Sequence, residues 1–147
     1  LIAHIGAWAP KPEQVAAGKF LLDTDAVDSY LKDFRQSLQN RLQGFYDGFM
    51  ALKNKGYAVD AIAPQAAIYL TVKIDLVGKT TPDGTILNDT EAVHDYLLNT
   101  VKIGVLPFSW FGAVNYGDWF RISVGTCRQE EVSEVLQILE THLATLE

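Results

Sequence analysis

Apolar residues recur every three or four positions through one long stretch of the chain, which predicts an amphipathic helix of about 30 residues. The stripe consists of Val27, Leu31, Phe34, Leu38, Leu42, Phe45, Phe49 and Leu52. Thr24 is a suitable N-cap for this helix, and Gly56 suits its end. A shorter helix is predicted before it, from about Lys11 to Leu22. We expect the long helix to pack on a sheet over part of its length and to expose the rest to another domain.

Three other segments alternate between apolar and polar residues and therefore predict β-strands. They are Ala66–Leu76, Lys102–Leu106, which Pro107 ends, and Trp119–Val124. Two capping-box patterns, Asn88–Glu91 and Thr126–Gln129, predict helices that end near Val101 and Leu146. The order of elements predicts an α+β fold, in which helices cover a small mixed or antiparallel sheet of three to four strands.

Composition and charge exclude several classes of protein. Apolar residues make up 48% of the 147 residues, as in an ordinary globular domain. The net charge of −6 argues against a nucleic-acid or membrane-surface partner. No apolar run approaches the ~20 residues of a transmembrane helix, and no signal peptide is visible. The single cysteine, Cys127, suits the cytoplasm. Because the chain begins with Leu1 instead of methionine, we expect a fragment or an excised domain.

Arg121 is the residue whose position most directly indicates a binding function. It alternates with Phe120 and Ile122, so it lies on the opposite face of its strand from these apolar residues. A charged side chain there must be solvated, paired with an acid, or available to an anionic ligand. Guanidinium binds a carboxylate through two parallel hydrogen bonds. From the residues alone, an ion pair with a neighbouring acid is the favoured interpretation.

Several segments, in this order, resemble a class I/II pyridoxal-phosphate-dependent aminotransferase of fold type I, similar to aspartate aminotransferase. GAWAPKPEQVAAGKFL resembles the segment that joins the family's large and small domains, and DSYLKDFRQSLQNRLQGFYDGFMALK resembles the long helix that bridges them. PQAAIYLTVKID is similar to the first strand of the small domain. HDYLLNTVKIGVLP, followed by a segment that ends in FRIS, is similar to the approach to the substrate arginine.

The resemblance implies that residues 1–23 are the interdomain connecting segment and that residues 24–147 are the small domain, without the large cofactor-binding domain. It implies that Arg121 binds the α-carboxylate of an amino acid or 2-oxo acid, and that the full-length enzyme is a homodimer. In the family, pyridoxal phosphate is held by a lysine in an S-x-S-K-like loop of the large domain. No lysine of this chain matches that loop, so no catalytic or cofactor-binding residue is expected here, and the chain alone should be inactive and bind no cofactor.

The aromatic residues between the last two predicted strands are candidates for the substrate pocket. Phe108, Trp110 and Phe111 are expected to line it, and Gly112 and Gly117 suit a hinge in the same loop. For most of these aromatic residues we expect a structural role instead, in core packing and in anchoring the loop. The residues that bind the substrate side chain belong partly to the absent domain, so the sequence does not indicate the substrate or distinguish amino transfer from decarboxylation or C–S lysis.

Two alternatives and several minor expectations remain. The chain is alternatively a stand-alone carboxylate or amino-acid-binding module, or an assembly domain whose long helix binds a partner. An exposed surface prone to self-association is expected near Ile2, Ile5 and Trp8 and along part of the long helix. The histidines His4, His94 and His142 lack metal-ligand spacing, and the last two are expected on helix surfaces. Cys127 is expected to be a small, half-buried residue without a catalytic role.

Overall fold

The computed structural model describes residues 9–147, which form four α-helices, four β-strands and one 3-10 turn. The helices are α1 (Lys11–Leu22), α2 (Thr24–Asn54), α3 (Thr90–Asn99) and α4 (Glu131–Leu143). The strands are β1 (Val59–Ala61), β2 (Tyr69–Ile74), β3 (Leu106–Pro107) and β4 (Trp119–Ser123), and the 3-10 turn is Phe108–Phe111. All strand pairs are antiparallel, in the order β1-β2-β4-β3. The predicted α+β class with a small sheet and one long helix is confirmed.

The described chain divides into two compact units within α2. The first runs to Ser37 and contains α1 and the first half of α2. Helix α1 buries no residue, and Phe34 of α2 is 40% exposed, with its ring stacked on that of Tyr30 at 5.8 Å. The second unit is Leu38–Glu147 and contains the sheet and the other helices. The apolar stripe of the long helix is therefore buried only from Leu38 onward, at Leu38, Leu42, Phe45, Phe49 and Leu52.

The core of the second unit lies on one face of the sheet. The alternation of β2 turns Leu70, Val72 and Ile74 inward, where each is at most 1% exposed. The register sets Leu70 opposite Ile122 and Val72 opposite Phe120 of β4, so the two central strands contribute one continuous apolar surface. The second face carries the other set of side chains: Tyr69, Thr71, Lys73, Trp119, Arg121 and Ser123.

The two edge strands differ from the sequence prediction. Strand β1, which pairs with the end of β2, was not predicted, because three residues are too short to reveal an alternation. The predicted strand Lys102–Leu106 is wrong: β3 contains only Leu106 and Pro107, and Lys102 has a positive φ of 66° that interrupts extended backbone. Proline is tolerated in β3 because this strand lies at the edge of the sheet.

Two of the predicted helix starts need correction. Asp23, not Thr24, caps α2, since its carboxylate accepts a hydrogen bond of 3.1 Å from the backbone N–H of Ala26. The capping box predicted at Thr126–Gln129 is wrong, because α4 begins only at Glu131. The Glu131 carboxylate instead turns back and accepts a bond of 2.8 Å from the backbone N–H of Arg128.

Helix α3 begins as its capping pattern predicts, and this supplies a stability test. Asp89 is the N-cap, and its carboxylate accepts a bond of 2.9 Å from the N–H of Ala92. We expect Asp89→Ala to lower the free energy of unfolding by about 1 kcal/mol, since an N–H of the first turn loses its partner. Asn88→Ala, one residue before the cap, is the matched control and should change stability little. Urea unfolding followed by circular dichroism measures both, and equal effects would contradict the assignment of the cap.

Helices long and apolar enough to cross a membrane do not occur among residues 9–147.

Candidate functional site

Arg121 lies at the centre of the sheet and is fixed by strands on both sides. Its backbone pairs with Thr71 of β2 and with Leu106 of β3. The neighbouring residues Phe120 and Ile122 are buried in the core, so their packing holds the strand from the other face. The half-buried Arg121 side chain therefore projects from a rigid base, on the face of the sheet away from the core.

Two aromatic rings contact the guanidinium group of Arg121. Its Cζ atom lies 4.2 Å from the centroid of the Tyr69 ring and 4.4 Å from that of Phe111. Tyr69 comes from β2, where it pairs with Ser123, and Phe111 ends the 3-10 turn that follows β3. Such cation–π contacts contribute about 0.5–1 kcal/mol each at exposed sites. Neither contact is a hydrogen bond to an oxygen or nitrogen acceptor, so the rings leave the N–H donors of the guanidinium to a ligand.

No carboxylate lies within 4.0 Å of Arg121 among the described residues, so the ion pair favoured from the sequence is wrong for this part of the chain. Lys73, on the same face of the sheet, has the opposite environment. Its Nζ lies 2.7 Å from Asp118 and 3.4 Å from Asp75. The hydrogen bond to Asp118 raises the pKa of the Lys73 ammonium. Of these two cations, Lys73 is neutralised by acids and Arg121 remains available to an anion.

Of the three predicted pocket residues, Phe111 is the one with a cation–π contact to Arg121 among the described residues. Phe108 packs edge-on against Phe111, with 6.3 Å between ring centroids. Trp110 is attached to α3 instead: its indole N–H donates to Glu91 at 2.7 Å, and its ring lies 4.7 Å from that of His94. The expectation that Phe108 and Trp110 line a pocket is not tested by these contacts and stays a prediction.

Glycine is favoured at each of the two proposed hinge positions, for a different structural reason. Gly112 ends the 3-10 turn with a φ of 84°, in the left-handed region that residues other than glycine adopt only at an energetic cost. A Cβ at Gly117 would lie 2.6 Å from Oγ1 of Thr90, and that hydroxyl donates a bond of 2.7 Å to the Gly117 carbonyl. Gly117 therefore permits close packing of the loop on α3.

The histidines and the cysteine lie away from Arg121. The predicted surface position of His94 is wrong, because Trp110 covers the ring and leaves the residue 7% exposed. His142 is half-buried, and its Nδ1 lies 3.3 Å from the hydroxyl oxygen of Tyr96. Cys127 is half-buried as expected, and its thiol donates weakly to the Val124 carbonyl at 3.6 Å. His4, Ile2, Ile5 and Trp8 lie outside the described residues.

A surface cleft of about 570 Å³ lies in another part of the second unit. The loop before α3, α3 itself and the end of α4 form it, with Asp83, Asp95, Tyr96 and His142 among its lining residues. Burial raises the pKa of the Tyr96 hydroxyl. None of the lining residues is Arg121 or one of its two aromatic neighbours. We take the face around Arg121 as the candidate site, because a cation without an acidic partner is a stronger indication of a ligand than volume is.

The sequence located Arg121 but not its neighbour Tyr69. Alternation along β2 does not distinguish Tyr69 from the other residues of its face, because its contact with Arg121 depends on the register between β2 and β4. The available signal was the aromatic ring at the start of a central strand, on the face that also carries the arginine. Phe111 was found because it belongs to the aromatic segment immediately before β4.

Comparisons with known proteins agree on one family. The family model described as aminotransferase class I and II matches residues 3–139. A probable aspartate/prephenate aminotransferase of Rickettsia conorii is 37% identical over 79 residues, which is 53% of this chain and 19% of the relative. The corresponding protein of Rickettsia prowazekii is 40% identical over 68 residues, or 46% of this chain and 16% of the relative.

A solved structure gives the same result at the level of the fold. The aspartate aminotransferase from Rhizobium meliloti superposes with a TM-score of 0.68 and 28% sequence identity, over 80% of this chain and 28% of that structure. The chain thus spans about a fifth of the length of the curated relatives it matches. Since the family model covers nearly all of its residues, the chain belongs to the class I and II aminotransferases.

Proposed function

We propose that this chain is the C-terminal small domain of a pyridoxal-phosphate-dependent aminotransferase, and that Arg121 binds the α-carboxylate of the substrate. In this proposal residues 1–23 form the connecting segment and residues 24–147 the small domain. The observation that carries it is the Arg121 guanidinium, which contacts two aromatic rings and has no acidic partner among residues 9–147. Family membership supports it, because amino donors and 2-oxo acid acceptors share an α-carboxylate.

The geometry around Arg121 suits a carboxylate clamp. Two parallel N–H groups of the guanidinium match the two oxygens of a carboxylate, and each such charged hydrogen bond contributes about 1.5–3 kcal/mol. The backbone pairs on both sides of Arg121 limit movement of its base, and the Tyr69 and Phe111 rings limit rotation of its head. A substrate bound in this way has its reacting carbon held in one orientation, which lowers the entropic part of the barrier.

In this proposal the described residues do not hold the cofactor. Every lysine of the described part is exposed or, like Lys73, paired with a carboxylate. The raised pKa of Lys73 keeps its amine protonated, and a protonated amine cannot attack an aldehyde. We therefore assign no step of amino-group transfer to these residues. In the proposal this chain binds and orients the substrate, and the rest of the full-length enzyme, a homodimer, holds pyridoxal phosphate.

L-aspartate is the amino donor we propose first. Two of the curated relatives are described as aspartate/prephenate aminotransferases, and the similar solved structure is an aspartate aminotransferase. Arg121 recognises the group that all amino acids share, so selection among them is assigned to other residues. Phe111, 51% exposed beside Arg121, is the residue of this chain that we expect nearest to the substrate.

The coding DNA upstream of Leu1 provides the first test of this proposal. We expect an in-frame extension of a few hundred residues that contains a lysine in an S-x-S-K-like loop. The full-length protein should then transfer the amino group of L-aspartate to 2-oxoglutarate in a coupled assay with pyridoxal phosphate. An upstream stop codon followed by a start near Leu1 would reject the enzyme. The unpaired guanidinium would then favour the second candidate, a carboxylate-binding module, which calorimetry of this chain with 2-oxoglutarate detects.

A further inference from the structure

Arg41 is a charged residue inside the buried stripe of α2. It lies three residues after Leu38 and four before Phe45, and it is 8% exposed. A buried guanidinium is stable only when hydrogen bonds compensate for its lost hydration. The sequence contains the signal for this residue, since a cation interrupts an otherwise apolar face of the long helix. Its role there depends on its partners in the folded chain.

The guanidinium of Arg41 donates to backbone carbonyls of the turn that joins β4 to α4. Its Nη1 donates to the Val124 oxygen at 2.9 Å and to the Cys127 oxygen at 2.6 Å, with the Gly125 oxygen at 3.5 Å. Val124 is fully buried, and its N–H donates to Ile68 at 2.9 Å, which continues the pairing of β2 with β4 by one residue. Arg41 thus binds the carbonyl at the point where that ladder ends.

We propose that Arg41 is a positioning residue for Arg121. Val124 lies three residues after Arg121, so Arg41 fixes the end of the strand that carries the candidate clamp. Strand β3 pairs only with Phe120 and Arg121, so beyond Arg121 the described strand partner of β4 is β2 alone. The inference rests on the proposed function for the identity of the ligand that Arg121 binds. The claim that Arg41 sets the position of Arg121 does not depend on the proposed function.

A displaced end of β4 changes the contact between Arg121 and Tyr69. Tyr69 lies on β2 opposite Ser123, so its distance from Arg121 depends on how far β4 is shifted along β2. The guanidinium of Arg41 makes these bonds through Nη1, which faces three carbonyls that lie close together. Lysine carries its donor nitrogen on a chain of different length, so we expect it to reproduce only part of these bonds.

The test compares Arg41→Met and Arg41→Lys with Arg128→Met as the matched control. Arg128 lies in the same turn, but its side chain is 76% exposed and pairs with Glu131 at the surface. In the full-length enzyme we expect Arg41→Met to raise KM for L-aspartate about tenfold, since misplacing a positioning group by about 1 Å costs up to about a hundredfold. Arg41→Lys should give a smaller increase, and Arg128→Met none. Circular dichroism measures the folded fraction.

A second readout does not depend on activity. In this chain labelled with ¹⁵N-arginine, the Nε–Hε signal of Arg121 is sensitive to the rings of Tyr69 and Phe111. We expect Arg41→Met, or Arg41→Lys if the methionine variant does not fold, to move this signal more than Arg128→Met does. An Arg121 signal that moves no more than in the control overturns the inference, because a merely stabilising role lowers the folded fraction alone. Where Arg121→Ala raises KM, an unchanged KM in the Arg41 variants overturns it as well.

The same variants separate this inference from the proposed function. If Arg121→Ala weakens substrate binding but the Arg41 variants leave both readouts unchanged, only the positioning role of Arg41 is wrong. If Arg121→Ala leaves KM unchanged, the clamp is wrong, and the Arg121 signal still tests whether Arg41 positions the strand.

Discussion

Arg121→Ala is expected to raise KM for L-aspartate in the full-length enzyme by about a hundredfold or more, with little change in the affinity for pyridoxal phosphate. The substitution removes two charged hydrogen bonds, and a loss of about 3 kcal/mol corresponds to a factor of about a hundred. Steady-state kinetics at saturating 2-oxoglutarate measures KM, and a cofactor titration measures the second quantity. A parent-like KM in the alanine variant would remove Arg121 from the binding site.

Two further variants show whether geometry or charge is responsible. Arg121→Lys keeps the positive charge but loses the planar fork and the guanidinium contacts with Tyr69 and Phe111. We expect it to recover part of the lost affinity and to remain weaker than the parent. Lys73→Ala is the control for charge on the same face, since Asp118 already neutralises this lysine at 2.7 Å. An equal loss of affinity in Lys73→Ala and Arg121→Ala would indicate a general electrostatic effect instead of a clamp.

Phe49→Ala is expected to lower the free energy of unfolding of this chain by about 3–5 kcal/mol. The Phe49 ring is 1% exposed in the core, so its removal leaves a cavity that neighbouring side chains fill only in part. This loss is a large share of the roughly 5–15 kcal/mol by which domains are stable. Urea unfolding monitored by circular dichroism measures it.

Phe34→Ala is the matched control, because it removes the same side chain from the same helix. Phe34 is 40% exposed, and its ring stacks on that of Tyr30. Aromatic pairs contribute about 0.5–1.5 kcal/mol, so the expected loss is smaller than for Phe49. If both variants lose the same stability, the division of α2 into an exposed and a buried half is incorrect for the chain in solution.

The fold was predictable where a periodic pattern was long enough to be recognised. The 3.6-residue period identified α2, and alternation identified β2 and β4, whose apolar residues form the core. The edge strands were not predictable, since β1 has three residues and β3 contains Pro107. The cap of α2 was placed one residue late because Asp23 and Thr24 are adjacent and chemically suitable, and only the helix geometry selects Asp23.

The site was predictable as one residue and not as an arrangement. Alternation was sufficient to separate Arg121 from the core. Alternation could not predict the rings that contact Arg121, because Tyr69 is brought beside it by the register between two strands that are distant in sequence. His94 was assigned to the surface from its helix position, but the ring that covers it comes from Trp110 in a loop. Periodicity in the sequence describes one secondary-structure element at a time. Each of these contacts joins two elements, so periodicity does not predict it.

Because aromatic rings and no acid of residues 9–147 contact Arg121, a carboxylate bound as proposed does not have to displace one of these acids. An arginine held by its own carboxylate must break that pair before it binds another, and part of the ligand's binding energy is lost in the exchange. In the proposed clamp the same ring contacts serve the empty and the occupied state. The proposal therefore predicts weak discrimination among anions, so that sulfate, phosphate and acetate in a buffer compete with the substrate for Arg121.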